Sequence, residues 1–239
     1  MNALGSLLMG LLFVCSLVAM DVAADVSGSI TLELPGGKVP GRRKLNMAAD
    51  PVCAGKHTSA ALSERLITNE KGQLQNVFVY VSKGVEGKKF DVPSEPVVLD
   101  QNGCLYKPHV LGVRAGQTIR ILNSDGTLHN IHPKPKVNAE FNQAMPKFLK
   151  KKDKIFDKAE QMIPVRCDVH PWMQAHIGVM DHPYFAVSGA DGAFEMKGLP
   201  DGTYTVTAWH EICGSMDQEV TVKDGAASIS FAMKLPKRK

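Results

Sequence analysis

The sequence predicts an all-β protein, and three observations carry that prediction. Short runs of strand-forming residues recur along the chain, turn residues punctuate them, and no long segment carries a 3.6-residue apolar period. Ser29-Ile30-Thr31-Leu32-Glu33-Leu34 alternates apolar and polar side chains, and Asn76–Val81 gathers β-branched and aromatic residues. Gly36-Gly37 and Lys83-Gly84 follow these runs as turn signals. Further strands are expected at Thr118–Leu122, Lys154–Phe156, Met162–Arg166, Ile177–Met180, Thr203–Trp209, Gln218–Val222 and Ala227–Met233. A short helix is expected over Ala60–Leu66.

Composition removes several function classes. With 239 residues, 44% hydrophobic and 22% charged, the chain can build a core and is not a disordered polymer. A net charge of +4 is too small to mark a nucleic-acid binder. Residues 1–24 hold no Lys or Arg, carry an apolar stretch from Ala3 to Met20, and end in the small residues Val22-Ala23-Ala24. They read as a secretory signal cleaved after Ala24, which places the protein in the periplasm or outside the cell. No other segment is long and apolar enough for stable membrane insertion after cleavage. Five cysteines cannot all pair within one chain. Cys15 leaves with the signal, and Cys53, Cys104, Cys167 and Cys213 remain, in a compartment that permits disulfides.

The sharpest local feature is Cys167-Asp168-Val169-His170-Pro171-Trp172-Met173. A thiol, an imidazole and a thioether recur every three residues, and a tight loop between strands can turn all three inward. Soft and borderline ligands of this kind suit copper. A trigonal site needs one more imidazole, and His129, presented after the strand Gly116–Leu122 and a polar turn, can supply it. Zinc accepts Cys and His but rarely a thioether, so Met173 argues against it.

Cys-x-x-His-Pro-Trp-Met resembles the ligand loop of amicyanin-type cupredoxins. His129-Asn130-Ile131-His132 is similar to the stretch that carries their first histidine ligand, and Val113–Asn123 is similar to the strand before it. The resemblance covers roughly residues 97–180. It implies a Greek-key β-sandwich with one blue-copper ion, with His129, Cys167 and His170 as equatorial ligands and Met173 as the axial one. It also implies His170 as the edge for electron entry and Asn123 as a hydrogen-bonding companion of the cysteine loop. The connection Pro133–Lys158 is longer than small cupredoxins often have.

The pattern from Asp191 to Trp209, with Asp-Gly and Leu-Pro-Asp-Gly turns, resembles the carboxypeptidase-regulatory-like (transthyretin-like) β-sandwich. That family starts with strands such as Ser29–Leu34 and Asn76–Val81. The expected organisation is therefore a signal at 1–24, N-terminal strands of the second sandwich at 25–96, a cupredoxin domain at 97–183 inserted in or packed on it, and its C-terminal part at 184–239. The resemblance implies no peptidase, and no zinc-protease motif occurs.

Cys53 and Cys104 both lie in turn-like sequence and are expected to pair, with pairs to Cys213 or free thiols as alternatives. His132 reads as a neighbour of the site, His176 as structural and His182 as part of a turn. His57, His109 and His210 are not placed by the sequence. Lys147, Lys150, Lys151, Lys152, Lys154 and Lys158 read either as a solvated segment leading into a strand or as a docking patch for an acidic redox partner. The functional expectation is a non-enzymatic electron carrier working with a redox protein such as a c-type cytochrome, without nucleic acid. An envelope copper carrier or storage protein, and a structural interaction module, are the alternatives.

Overall fold

The structure is a computed structural model that describes residues 24–237. The signal-peptide reading and Cys15 fall on residues outside that range or at its edge. From the N-terminus, β1 (Ala24–Leu32) is followed by a long irregular stretch holding one short helix, α1 (Pro51–Ala54), and then by β2 (Phe78–Lys83). The next nine strands are β3 (Val97–Gln101), β4 (Tyr106–Lys107), β5 (Val110–Arg114), β6 (Thr118–Asn123), β7 (His129–Pro133), β8 (Gln143–Met145), β9 (Lys151–Ile155), β10 (Glu160–Arg166) and β11 (Gln174–Met180). Five more complete the chain: β12 (Phe185–Val187), β13 (Ala193–Leu199), β14 (Gly202–His210), β15 (Gly214–Val222) and β16 (Ala226–Met233). The fold is all-β.

Strand pairing sorts these elements into two sandwiches. One has a five-stranded sheet, β5-β11-β10-β7-β8, and a four-stranded sheet, β4-β3-β6-β9. Their inner faces share a core that includes Leu99, Ile119, Ile121, Val113, Ile131, Ile163 and Ile177. In β6 the alternation is direct, with Ile119, Ile121 and Asn123 inward and Thr118, Arg120 and Leu122 part-exposed. The other sandwich has sheets β13-β1-β16 and β12-β2-β14-β15. Its core takes Val26 and Ile30 from β1, Val79 and Val81 from β2, Val206 from β14 and Phe231 from β16. β1 runs antiparallel to β13 and parallel to β16, so its register is held on both sides.

A third apolar cluster joins the two sandwiches. Phe78 and Tyr80 of β2, with partly buried Phe185 and Trp209, meet Val110, Met162 and Met180. Phe78 fits because Gly112 and Gly178 lack side chains. A Cβ built on Gly178 would stand 2.6 Å from the Phe78 ring, and one on Gly112 3.0 Å from it.

Two sequence expectations need correction. Ala60–Leu66 is not a helix, because its backbone is tied laterally to residues 42–45. Leu45 N–H donates to the Ala61 carbonyl and Ser63 N–H to the Arg43 carbonyl. The Arg42 guanidinium also donates to the carbonyls of Leu62 and Ser63. The helix is instead α1, capped by the Asp50 carboxylate and started by Pro51. The second correction concerns the lysines. The strand there begins at Lys151 and pairs only with β6, at the edge of its sheet. Exposed lysines on an edge strand discourage pairing with another chain.

Cys53 and Cys104 form a disulfide, and Cys167 and Cys213 are free thiols. Burial pushes the Cys213 thiol up to about 11. At pH 8 it therefore holds about 100-fold less thiolate than an ordinary cysteine. Iodoacetamide labelling of Cys213 in the folded protein is expected to be correspondingly slow and to rise only as pH approaches 11. Labelling at the rate of an unfolded-chain cysteine at pH 8 would contradict this. No helix among the described residues is long and apolar enough to cross a membrane.

Candidate metal centre

β10 ends at Arg166 and β11 begins at Gln174, so the motif Cys167–Met173 is the connection between two antiparallel neighbours. The loop closes on itself. Cys167 N–H donates to the Met173 carbonyl (3.3 Å), and Met173 N–H donates to the His170 carbonyl (2.9 Å). That folding turns Cys167, His170 and Met173 into the core, where each is at most 2% exposed. His129 opens β7, which pairs with β10 through His132 and Arg166, and its ring is fully buried.

Three of the four expected residues offer donor atoms at one point. One donor atom each from His129, Cys167 and His170 lies within 4.8 Å of the others. The His129 and His170 Nδ1 atoms face each other at 2.9 Å, and Cys167 Sγ is 3.9 Å from His170 Nδ1. Met173 is fully buried and closes the loop through its backbone.

The outer nitrogens of both rings are held by carboxylates. His129 Nε2 donates to Asp125 Oδ2 (2.9 Å), and His170 Nε2 donates to Asp50 Oδ2 (2.8 Å). A carboxylate can only accept, so the Nε2 of each ring carries the proton. In the neutral rings, both Nδ1 lone pairs then point at one another. A cation shared by the two Nδ1 atoms would satisfy both lone pairs at once. Carboxylate–imidazole pairs of this kind orient metal-ligating histidines and raise their basicity.

The titration shifts have the same origin. Burial pushes the Asp125 carboxyl up. The His129 ring, the Cys104 and Gly103 amides and Lys56 outweigh it, and hold the group at about 2. His129 is lowered by burial and raised more by Asp125 and Cys167, for a net rise. Asp50 is lowered by its hydrogen bond from His170 and by the Cys53 amide. Burial pushes the Cys167 thiol up, but His129 and the Asn130 and His170 amides outweigh it, for a net lowering.

A single covalent feature organises both carboxylates. Asp50 caps α1, accepting from the Val52 and Cys53 amides. Cys53 is bonded to Cys104, whose amide donates to Asp125 (2.7 Å) beside the Gly103 amide (2.7 Å). The disulfide thus ties together the two segments that orient the two histidines. Cys53 Sγ lies 3.7 Å from His170 Nε2, and Trp172 Nε1 donates to the Cys104 carbonyl (3.1 Å).

Two sequence expectations change. His170 is not an exposed edge, because Asp50 and α1 cover its outer nitrogen and the ring is 2% exposed. Trp172, 5.0 Å away by ring centroids and half-buried, lies beside it instead. Asn123 does not touch the cysteine loop, since its amide donates to the carbonyls of Thr127 and Met145. That role belongs to Asn130. Its backbone amide donates to Cys167 Sγ (3.5 Å), and its side-chain oxygen accepts from the thiol (3.2 Å) and from the Asp168 and Val169 amides. His132 is a neighbour of the site, as expected, with Nδ1 on Asp168 of the ligand loop and Nε2 on Glu140.

The sequence reading missed Asp50, Asp125 and Asn130. Asp50-Pro51 carries a helix-start signal, and Asn130 adjoins His129, but neither pattern names a partner. Of the unplaced histidines, His57 Nε2 bonds the Gly103 carbonyl, on the same turn that holds Asp125. His109, His176 and His210 gather near the seam between the sandwiches. Burial pushes His176 and His210 down to about 4.

No protein-family model matches this chain, and no curated protein matches it. Among solved structures, it is similar to a Cu(I) mutant of amicyanin at 21% identity, over 42% of this chain and 97% of that one, with a TM-score of 0.32. A second amicyanin mutant in its Cu(I) form gives 22% identity, the same coverage and a TM-score of 0.33. A Cu-containing nitrite reductase from Thermus scotoductus SA-01 gives 23% identity, over 40% of this chain and 24% of that one, with a TM-score of 0.32.

Proposed function

We propose that this chain is an exported electron-transfer protein with one blue-copper-type centre. His129, Cys167 and His170, with Met173 beside them, would hold the ion. The observation that carries this reading is the convergence of two imidazole Nδ1 atoms on a buried cysteine, each ring locked by a carboxylate on its far side. Two imidazoles, a thiolate and a thioether are the donor set of electron-transfer copper. Copper bound there would carry one electron by changing between its two oxidation states.

The protein's own part is to hold the donors still. β7, β10 and β11 fix the ends of the ligand loop, and Asn130 holds Cys167 through two hydrogen bonds and the next two residues of the loop through two more. Asp50 and Asp125 set the tautomer of each ring. Donors at 0–2% exposure leave no open face for a substrate, which supports a carrier rather than an enzyme. We also read residues 97–183 as a cupredoxin-type domain inserted in a transthyretin-like sandwich built from strands of 25–96 and 184–239, with the stretch around Met47 and Cys53 packed on the first core instead. The pairing of β1 and β2 with β12, β13, β14 and β16 supports that organisation.

One observation favours a second reading, an envelope copper carrier or store. The outer nitrogen of His170 is covered by Asp50 rather than free at the surface. Voltammetry of the copper-loaded protein separates the two. A reversible one-electron wave and rapid exchange with a c-type cytochrome are expected for the electron carrier. Transfer of Cu(I) to an acceptor apoprotein, without reversible cycling, would replace it with the second reading.

A further inference from the structure

A second group of donors stands at the seam between the two sandwiches, away from Cys167. His109 immediately precedes β5, His176 is the third residue of β11, and Glu211 follows the last residue of β14. Both sandwiches therefore contribute. β5 and β11 run parallel, and the His176 amide donates to the His109 carbonyl (2.9 Å), which fixes the two histidines side by side. One donor atom each from His109, His176 and Glu211 lies within 4.8 Å of the others. The side chains of His109 and Glu211 are 4% and 7% exposed.

The polar groups here are not all accounted for by the protein. His109 Nε2 bonds Glu211 Oε1, and Arg65 Nε donates to Glu211 Oε2 (2.7 Å). The Nδ1 of His176 is buried with no hydrogen-bond partner, and so is the Nε2 of neighbouring His210. Buried polar groups in native proteins are almost always paired, so an orphaned imidazole nitrogen beside a histidine–glutamate pair calls for a reason. The seam does not need these groups for cohesion, because Phe78, Val110, Met162 and Met180 already pack it.

We propose that His109, His176 and Glu211 form a second metal site, suited to a borderline divalent ion such as zinc. Two imidazoles and a carboxylate make an N/O donor set that suits Zn(II) and, lacking a thiolate, suits Cu(I) poorly. An ion there replaces the His109–Glu211 hydrogen bond with two coordinate bonds and engages His176. Arg65 orients the Glu211 carboxylate from outside, as outer partners of metal ligands do. An open cleft of about 330 Å³, lined by His176, Glu211, Arg65, Trp209 and Lys134, gives the ion a way in and leaves a fourth position to solvent. Such a site would tie one sandwich to the other through the ion. It does not depend on the copper reading, since no residue is shared.

The test is zinc binding to a full-length chain whose first donor set is removed by Cys167→Ser and His129→Gln. Calorimetry with Zn(II), and metal analysis after desalting, are expected to show one retained equivalent. Adding Glu211→Gln or His176→Gln is expected to weaken binding by about 100-fold or more, because even outer partners are worth 10–100-fold. Each of these two substitutions, made alone in the native chain, should leave the copper–thiolate absorption unchanged. Should the doubly substituted background fail to fold, zinc-edge X-ray absorption of the native chain preloaded with one equivalent of copper gives the same information, with only nitrogen and oxygen neighbours expected. Zinc absent from the first background, zinc bound equally well after Glu211→Gln and His176→Gln, or a sulfur neighbour would overturn the site and leave a hydrogen-bonded cluster only.

Discussion

Phe78→Ala is expected to destabilise the protein by about 3–5 kcal/mol, the range for deleting a buried aromatic ring. Phe78 is fully buried and inserts over Gly112 and Gly178, against Phe185 at 5.7 Å between ring centroids. Truncation leaves a cavity that neither glycine can fill, because both belong to strands held by the ladder β5–β11. The loss falls on the seam, so the two sandwiches are expected to melt in separate steps in the variant. Calorimetry checks this. A loss under about 1 kcal/mol, the size of a surface change, would show that Phe78 does not join the two units. Gly178→Val is expected to be damaging for the converse reason, since its side chain would occupy the space of the Phe78 ring.

The second large effect belongs to the disulfide. Cys53 and Cys104 are 51 residues apart in sequence, and closing a loop of that length is worth about 4 kcal/mol in the chain-entropy model. Cys53→Ala with Cys104→Ala is therefore expected to lower stability by an amount of that order, read from urea unfolding. The double substitution should also weaken copper binding by about 10–100-fold, because Asp50 and the turn that holds Asp125 lose their common anchor. Asp50→Asn separates the two effects. It keeps the disulfide, and should weaken metal binding while leaving the unfolding midpoint close to wild type. Equal metal affinity in both variants would remove the disulfide from the site's support.

The cysteine loop was legible because its residues are contiguous. Cys167, His170 and Met173 recur at three-residue spacing, and a hairpin-like connection between β10 and β11 is enough to turn them inward. His129 was legible because a strand and a polar turn lead up to it. The carboxylates were not, because nothing local marks them. Asp50 is 120 residues from the histidine it holds, and it reaches that ring only through α1 and the disulfide. The same limit explains His109 and Glu211, which are 102 residues apart and meet only when the two sandwiches pack.

The fold follows a similar rule. Strands with one wet face, such as β13 with Phe194 and Met196 inward, carry clear alternation. β7 is buried at every position from His129 to Pro133, and β8 has three residues, so neither shows a period. Ala60–Leu66 was misread because its apolar spacing suits a helix, while its backbone groups are taken by residues 42–45. Asn130 rather than Asn123 serves the cysteine because β7, not β6, borders β10.

The proposed copper centre is tested most directly by visible absorption of the purified protein after addition of one equivalent of Cu(II). An intense thiolate-to-copper band is expected, abolished by Cys167→Ser and kept in Cys213→Ser. Absence of the band in the native chain, or its survival in Cys167→Ser, would contradict a copper site built on Cys167.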